Sequence, residues 1–406
     1  MVLVRILTAR AAKIFGVNIG SIVTAGDRHA RDMYNSGDVD LVDAVPAVPD
    51  DDAARPTPSP QVPKSVSHPD APAPATYFGK PSPHRDPGLR VAWVQDAERR
   101  GGAELSNETI IGAGRRLGHR ITLVTPQSFN PGVLAGSDVL IVNNIQRFDD
   151  DQIRILWWVL YERGKPYVRY EHDHREVTGD TVRRLGTDPF LGFARRLFSR
   201  SALNVMISQL QFDEHAKLLG DDFRNHPTHI LHTGVDPDVF TAPEFDGDRD
   251  MSAVVCPTGN LIQRKGLMNV AAFAQANPGM RILVYSKPWS QMEDILRGLP
   301  NVEFNLPIPN EELVNVLRKS GWVIHLPEHY EDSGRVPVEG ALCGCKVISN
   351  RHTGVMGCGW WEEFGTIRWT SDTCRAEVSD RLGLAEAIRC NQMGFWREVE
   401  RRLDVR

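Results

Sequence analysis

The stretch EDSGRVPVEGALCGCKVISN, running from Glu331 to Asn350, sets the architecture expected of this chain. Glu331 and Glu339 stand on either side of seven residues that include Ser333-Gly334-Arg335. A small-residue run (Gly340, Ala341, Cys343) then leads into the apolar pair Val347-Ile348. Upstream, Trp322 to Leu326 reads as a buried strand, so the pattern is strand, loop, helix, strand. Gly334 permits a tight loop, and Pro337 suits the first turn of a helix. The amides of Gly334, Arg335 and Val336 at that helix start form an anion site. Glu339, one turn further on, points an acceptor back toward whatever those amides hold. An anion beside a hydroxyl-rich group describes a nucleotide-sugar. The competing reading is a surface loop with two solvated glutamates ahead of an ordinary helix, a feature common in doubly wound folds.

Length and composition narrow the field. With 406 residues the chain can build two domains and further segments. A hydrophobic content of 41% and a charged content of 24% are those of a globular protein. The net charge of −5 leaves no broad basic surface, which argues against non-specific nucleic-acid binding as the main activity. All six cysteines follow residue 250, and Cys343-Gly-Cys345 has neither zinc nor redox spacing, so reduced thiols in a cytoplasmic protein are expected. No apolar run approaches the ~20 residues that span a bilayer, and the N-terminus lacks a signal-peptide core.

Three regions follow from the order of patterns. Residues 1–43 read as a small β-rich module, with strands at Val2–Leu7, within 16–23 and at Val39–Val42, and a helix capped by Asp27. This module resembles small β-rich units of phage-encoded proteins, which implies docking or targeting; an inert appendage is the alternative. Residues 44–88 hold twelve of the 27 prolines among Ala, Ser and Asp, and read as an extended linker. From residue 90 the pattern becomes βαβ: strand Arg90–Val94, Gly101-Gly102 at the turn, a helix to Leu117, strand Arg120–Thr125. Strands at Asp138–Val142, Tyr167–Tyr170, Leu203–Ile207 and His229–Leu231 alternate with helices at about 150–163, 189–199 and 209–219, which implies a parallel sheet covered on both faces. A second series starts at Met251–Cys256 and includes Arg281–Tyr285, Val302–Phe304 and the opening stretch, with a charged helical end from about Ser379. The expected fold is α/β: two Rossmann-like halves, residues 89–240 and 241–406, facing a cleft. GxGxxG is absent, which counts against a dinucleotide cofactor.

Several motifs, in order, then carry a family resemblance over residues 90–406. Arg100-Gly-Gly-Ala-Glu104 opens the first helix, and Leu117-Gly-His-Arg-Ile-Thr-Leu-Val124 follows it. His232-Thr-Gly-Val-Asp-Pro-Asp-Val-Phe240 lies between the halves, Gly259–Gly266 forms a loop in the second, and Glu331–Gly344 closes the series. Together they resemble retaining nucleotide-sugar glycosyltransferases of the GT-B architecture, family 4. The resemblance implies a donor that is a UDP- or GDP-linked sugar and no cofactor. It implies that Lys265 neutralises the leaving diphosphate, where the benefit is largest in the transition state. Gly101, Gly102, Ser333 and the amides of Gly334, Arg335 and Val336 would line the same donor site. Glu339 would accept from ribose hydroxyls, Glu331 would hold a donor-sugar hydroxyl, and His172 would lie near the reacting carbon. The last helix would cross back to the first half. The chain departs from the family where Asn260 follows Gly259 in place of arginine; Arg264, beside Lys265, is the candidate substitute for that charge.

Other constellations suggest other chemistry. His172 and His174, at i and i+2, share one face of a strand and could begin a metal site of a hydrolase, but further ligands are not evident. Asp149-Asp150-Asp151 reads as a helix cap rather than a metal-binding DxD. Trp157-Trp158 and Trp360-Trp361 read as core or domain-edge aromatics, with acceptor stacking as the alternative. The expectation is a metal-independent glycosyltransferase with an unidentified acceptor (protein, glycan or modified DNA base), acting in the cytoplasm, a host's if the chain is phage-encoded. The alternative is a non-catalytic sugar-nucleotide or glycan-binding protein.

Overall fold

The computed structural model describes three strands near the N-terminus and residues 88–404 apart from 97–100, 173–195, 233, 244–248, 259–264 and 288–294. The helix expected after Asp27, the proline-rich segment 44–87, Asn260, Arg264, His174 and most of the helix expected at 189–199 lie outside the described residues. Residues 1–81 and 82–406 are separate compact units. In the first unit Val2–Ile6 (β1) pairs antiparallel with both Ile22–Ala25 (β2) and Val39–Val42 (β3), in the order β2-β1-β3.

The second unit contains two sheets. The first runs β5-β4-β6-β7-β8-β9, all parallel, from Arg90–Val94 (β4), Arg120–Val124 (β5), Val139–Val142 (β6), Tyr167–Tyr170 (β7), Leu203–Met206 (β8) and Thr228–Ile230 (β9). Every residue of β6, β7 and β8 is buried, which is why these strands read as unbroken apolar runs: helices cover both faces of the sheet. Asp149 caps the helix Asp150–Trp157 by accepting from the Gln152 amide at 2.9 Å, and the helix then widens into a π turn over Trp158–Glu162.

The second sheet is built on Asp250–Pro257 (β10), Arg281–Tyr285 (β11), Val302–Asn305 (β12), Ser320–Ile324 (β13) and Lys346–Asn350 (β14), parallel in the order β12-β11-β10-β13-β14. An antiparallel hairpin, Gly365–Thr370 (β15) and Thr373–Val378 (β16), extends it through β16 against β14. The hairpin alternates exposed and covered residues, as a sheet edge with one wet face does.

The C-terminal helix Arg381–Asp404 joins the two cores. Leu384, Ala385 and Ile388 belong to the core around β13 and β14, while Phe395, Trp396 and Val399 belong to the core under β4. Trp396 is fully buried, and its indole N–H donates to the Ile110 carbonyl at 2.8 Å. His119, the histidine of the Gly-His motif, is a support of this crossing: its ring lies 5.0 Å from that of Trp396, and its Nε2 is 3.6 Å from Glu400. Gln392 donates to the Val235 carbonyl at 3.0 Å, which staples the helix to the segment between the halves.

Candidate functional site

The site forms where the carboxyl ends of the two parallel sheets meet, the usual place for ligands in open α/β sheets. In the second sheet, β13 leads into a loop laced to the segment after β14. The Glu331 amide donates to the His352 carbonyl at 2.7 Å, and the Val355 amide to the Ser333 carbonyl at 2.7 Å. Gly334 closes the loop with a φ of +79°, and a Cβ there would lie 2.6 Å from the Thr353 methyl, so only glycine fits. The helix Arg335–Leu342 starts at the next residue and is buried from Pro337 onward. Its first amides therefore face the meeting of the sheets with no side-chain cap among the described contacts.

Two polar groups beside that helix start have no hydrogen-bond partner among the described residues. They are the buried Ser333 hydroxyl and His325 Nε2. Burial pushes the His325 imidazole down to about 4, Lys265 lowers it further and Glu331 opposes them, so the ring is neutral at pH 7. Lys265 reaches the same place from the loop before the helix Leu267–Ala276. Its ammonium pairs with Glu331, at 2.6 Å from Oε1 and closer still to Oε2. Gly266 makes this possible: at a φ of +95°, a Cβ would stand 1.9 Å from the Leu326 carbonyl oxygen.

Arg335 and Glu339 form a second pair, with Nε to Oε1 at 2.9 Å. The Arg335 guanidinium does not turn toward its own helix start. Its Nη1 crosses to the first half, donating to Ser106 Oγ at 2.9 Å and to the Gly234 carbonyl at 2.6 Å. It thus ties the second sheet to the first helix, Gly102–Arg116, and to the connecting segment. A second tie is the Ser208 hydroxyl, which donates to the Asp332 carbonyl. Gly102 is near the Arg335 side chain, since a Cβ built there would lie 3.7 Å from Arg335 Cδ. Glu104 folds back to accept from the Gly101 amide at 2.9 Å.

On the first sheet, β7 ends with Tyr170, and His172 follows two residues later. Its amide donates to Glu171 Oε1 at 3.1 Å, and Glu171 is itself paired with Arg169 in a fully buried ion pair. Arg169 also donates to the Asn143 carbonyl at 2.5 Å, so the charges are neutralised and hydrogen-bonded, as burial demands. The His172 ring lies 4.5 Å from that of Tyr170, and its Nε2 is 2.8 Å from Asn107 Oδ1. Asn107 neighbours Ser106, the residue that Arg335 holds, so His172 and the second-sheet groups are joined through one helix. Burial drives the Tyr170 phenol far above its ordinary range, and its hydroxyl has no hydrogen-bond partner among the described residues.

The structure thus brings His172, Gly102, Arg335 and Glu339 to one junction, with Lys265, Glu331, Ser333 and Gly334 beside the same helix start. Val336, partly buried, continues that helix start. Asn107, Ser106, Ser208 and His325 were not singled out by the sequence reading. Asn107 had a signal: a carboxamide in the middle of a helix is a poor helix former and is kept where its hydrogen bonds are used. Among the described residues no three His, Cys, Asp or Glu side chains are grouped to hold a metal ion, and no helix is long and apolar enough to cross a membrane.

This arrangement, two Rossmann-like sheets meeting at their carboxyl ends with a helix crossing back, is the GT-B fold. The solved structure of sucrose-phosphate synthase from Thermosynechococcus elongatus superposes with a TM-score of 0.52 at 14% identity, covering 78% of this chain and 94% of the other. An α-glucosyltransferase in complex with UDP and a 13-mer DNA containing an HMU base gives 0.52 at 15% identity, covering 78% and 95%. In sequence, a D-inositol 3-phosphate glycosyltransferase of Mycolicibacterium smegmatis is 29% identical over 136 residues, which is 30% of this chain and 31% of that relative's length. No family model matches the chain.

Proposed function

We propose that this protein is a retaining, metal-independent glycosyltransferase of family 4 type that moves a sugar from a UDP- or GDP-linked donor to an acceptor hydroxyl. The observation that carries the reading is the convergence of Lys265, the buried Ser333 hydroxyl and the start of the helix Arg335–Leu342 at the junction of two parallel sheets, with His172 on the opposite side. A cation, a hydroxyl and helix-start amides suit a diphosphate. Transfer breaks the bond between the anomeric carbon and the diphosphate oxygen, and the acceptor oxygen takes its place, losing its proton. Charge grows on the diphosphate as that bond breaks, so fixed donors around it favour the transition state over the ground state. Lys265 has three N–H donors, enough to hold Glu331 and a phosphate oxygen together. In this reading Glu331 also takes a sugar hydroxyl, and Glu339 keeps one oxygen on Arg335 while the other serves the ribose. Gly101 and Gly102 admit the donor close to the backbone, with Asn260 and Arg264 in the same donor loop. A glucosyltransferase of this fold that holds UDP with DNA supports both the donor class and a modified base among the acceptors to test, beside proteins and glycans. Residues 1–43 would serve as a docking module for that acceptor, in the cytoplasm.

The mutual pairing of Lys265 and Glu331, with Asn260 in place of the family arginine, favours a second reading: a sugar-nucleotide binder without turnover. A panel of UDP-, GDP- and ADP-sugars, scored for nucleoside diphosphate release and for thermal stabilisation, separates the two. We expect release with at least one donor, unchanged in excess chelator. Stabilisation without release assigns the binder, and release that vanishes in chelator and returns with one metal overturns metal independence.

A further inference from the structure

Three carboxamides are buried beside His172: Gln95, Asn107 and Asn143. Their donors and acceptors can be assigned in sequence from a fixed point. The backbone N–H of Asn144 can only donate, and it lies 2.6 Å from Asn143 Oδ1. That orients the Asn143 amide so that its Nδ2 faces Asn107, and the partner at 3.3 Å must be the acceptor Oδ1. The other end of Asn107 agrees, because its Nδ2 donates to Gln95 Oε1 at 2.7 Å. Asn107 therefore presents an oxygen to His172 Nε2 at 2.8 Å, and an amide oxygen accepts only. The Nε2 atom must carry the proton.

We propose that Asn107, oriented by Asn143 and Gln95, is the positioning residue that holds His172 in its Nε2–H tautomer and sets the angle of its ring in the site. A neutral imidazole protonated at Nε2 carries its lone pair on Nδ1, so this network selects which edge of the ring acts as acceptor. The Tyr170 ring packs on one side and the His172 amide donates to the Glu171 carboxylate, while Asn107 is the acceptor at Nε2 that chooses the tautomer. The importance of this for turnover rests on the proposed role of His172; the tautomer itself does not.

Long-range nitrogen–proton NMR on protein labelled with ¹⁵N-histidine, with His172→Gln to assign the signal, reads the tautomer directly. We expect Nε2–H in the full, unsubstituted chain. Asn107→Leu, which removes the acceptor, should release the tautomer preference and lower kcat by about 10- to 100-fold, with donor KM within about twofold. Asn107→Asp keeps an acceptor oxygen, so it should keep the Nε2 proton and retain more turnover than the leucine variant. An Nδ1–H tautomer in the unsubstituted protein overturns the inference even if neither variant folds. So does an unchanged tautomer in Asn107→Leu. If no donor is turned over but the tautomer follows Asn107, the transferase reading fails and the positioning inference stands.

Discussion

Lys265 and Glu331 neutralise each other, so the consequences of removing either differ from those of removing a lone charge. In the proposed donor site, Lys265→Ala would leave the Glu331 carboxylate facing the diphosphate, opposing donor binding as well as transfer. We expect it to raise donor KM and lower kcat, and Glu331→Ala to lower mainly kcat, each kcat falling by roughly 100- to 1,000-fold. Near-normal turnover in both variants, with donor and acceptor in hand, removes these residues from the mechanism. Glu339 differs because its first oxygen is engaged by Arg335. Glu339→Ala should raise donor KM and also destabilise the protein by about 1–3 kcal/mol, since a half-buried guanidinium loses its carboxylate. A raised KM with an unchanged unfolding midpoint would mean that the Arg335 pair holds nothing in place.

At the scale of elements, the segments that leave the sheets carry shielded histidines. His325, just after β13, and His232, just after β9, are each pushed down to about 4 by burial, and each has a ring nitrogen without a partner among the described residues. In the unfolded chain both titrate near 6.5, so between about pH 6.5 and 4 the unfolded state takes up protons that the folded state refuses. Their contribution is therefore fully present above about pH 6.5 and is lost as pH falls toward 4, by about 1–2 kcal/mol each at pH 5. Urea unfolding at pH 7.5 and 5.0 should show that loss, and a His325→Gln, His232→Gln double variant should show less of it. An identical pH slope in the double variant would assign the acid sensitivity elsewhere. The β15–β16 hairpin is an element that the sequence reading left out. Its two-residue turn places Ser371, not glycine or asparagine, at a φ of +54°, so the usual hairpin signal is missing.

Across the whole molecule, two cores share one helix. Removing Trp396 from its place under β4 would cost on the order of 3–5 kcal/mol by its size alone. The unit from Ser82 to Arg406 holds both sheets and every described site residue. A chain beginning at Ser82 should thus fold with an unchanged unfolding midpoint and bind the same nucleoside diphosphate. Aggregation, or loss of that binding, would show that residues 1–81 complete the fold.

The parallel sheets and the helix start at Gly334 were legible in the sequence because both are local. Strands buried on two faces need unbroken apolar runs, as in Val139–Val142, and a left-handed loop residue ahead of a helix needs glycine. Asp149 as a cap is local in the same way. The pairing of groups across the junction is not. Arg335 and Ser106 are 229 positions apart, and nothing near either one announces the other. Arg335 read as a donor-site residue through its helix-start amide, and the motif does not announce that its guanidinium ties the halves. Asn107 drew no notice within its helix, because its partner His172 stands 65 positions later, at the end of β7. The chemistry of a side chain is written in its type, but its partner depends on which chain ends the packed sheets bring together, and that is decided only when the cores close.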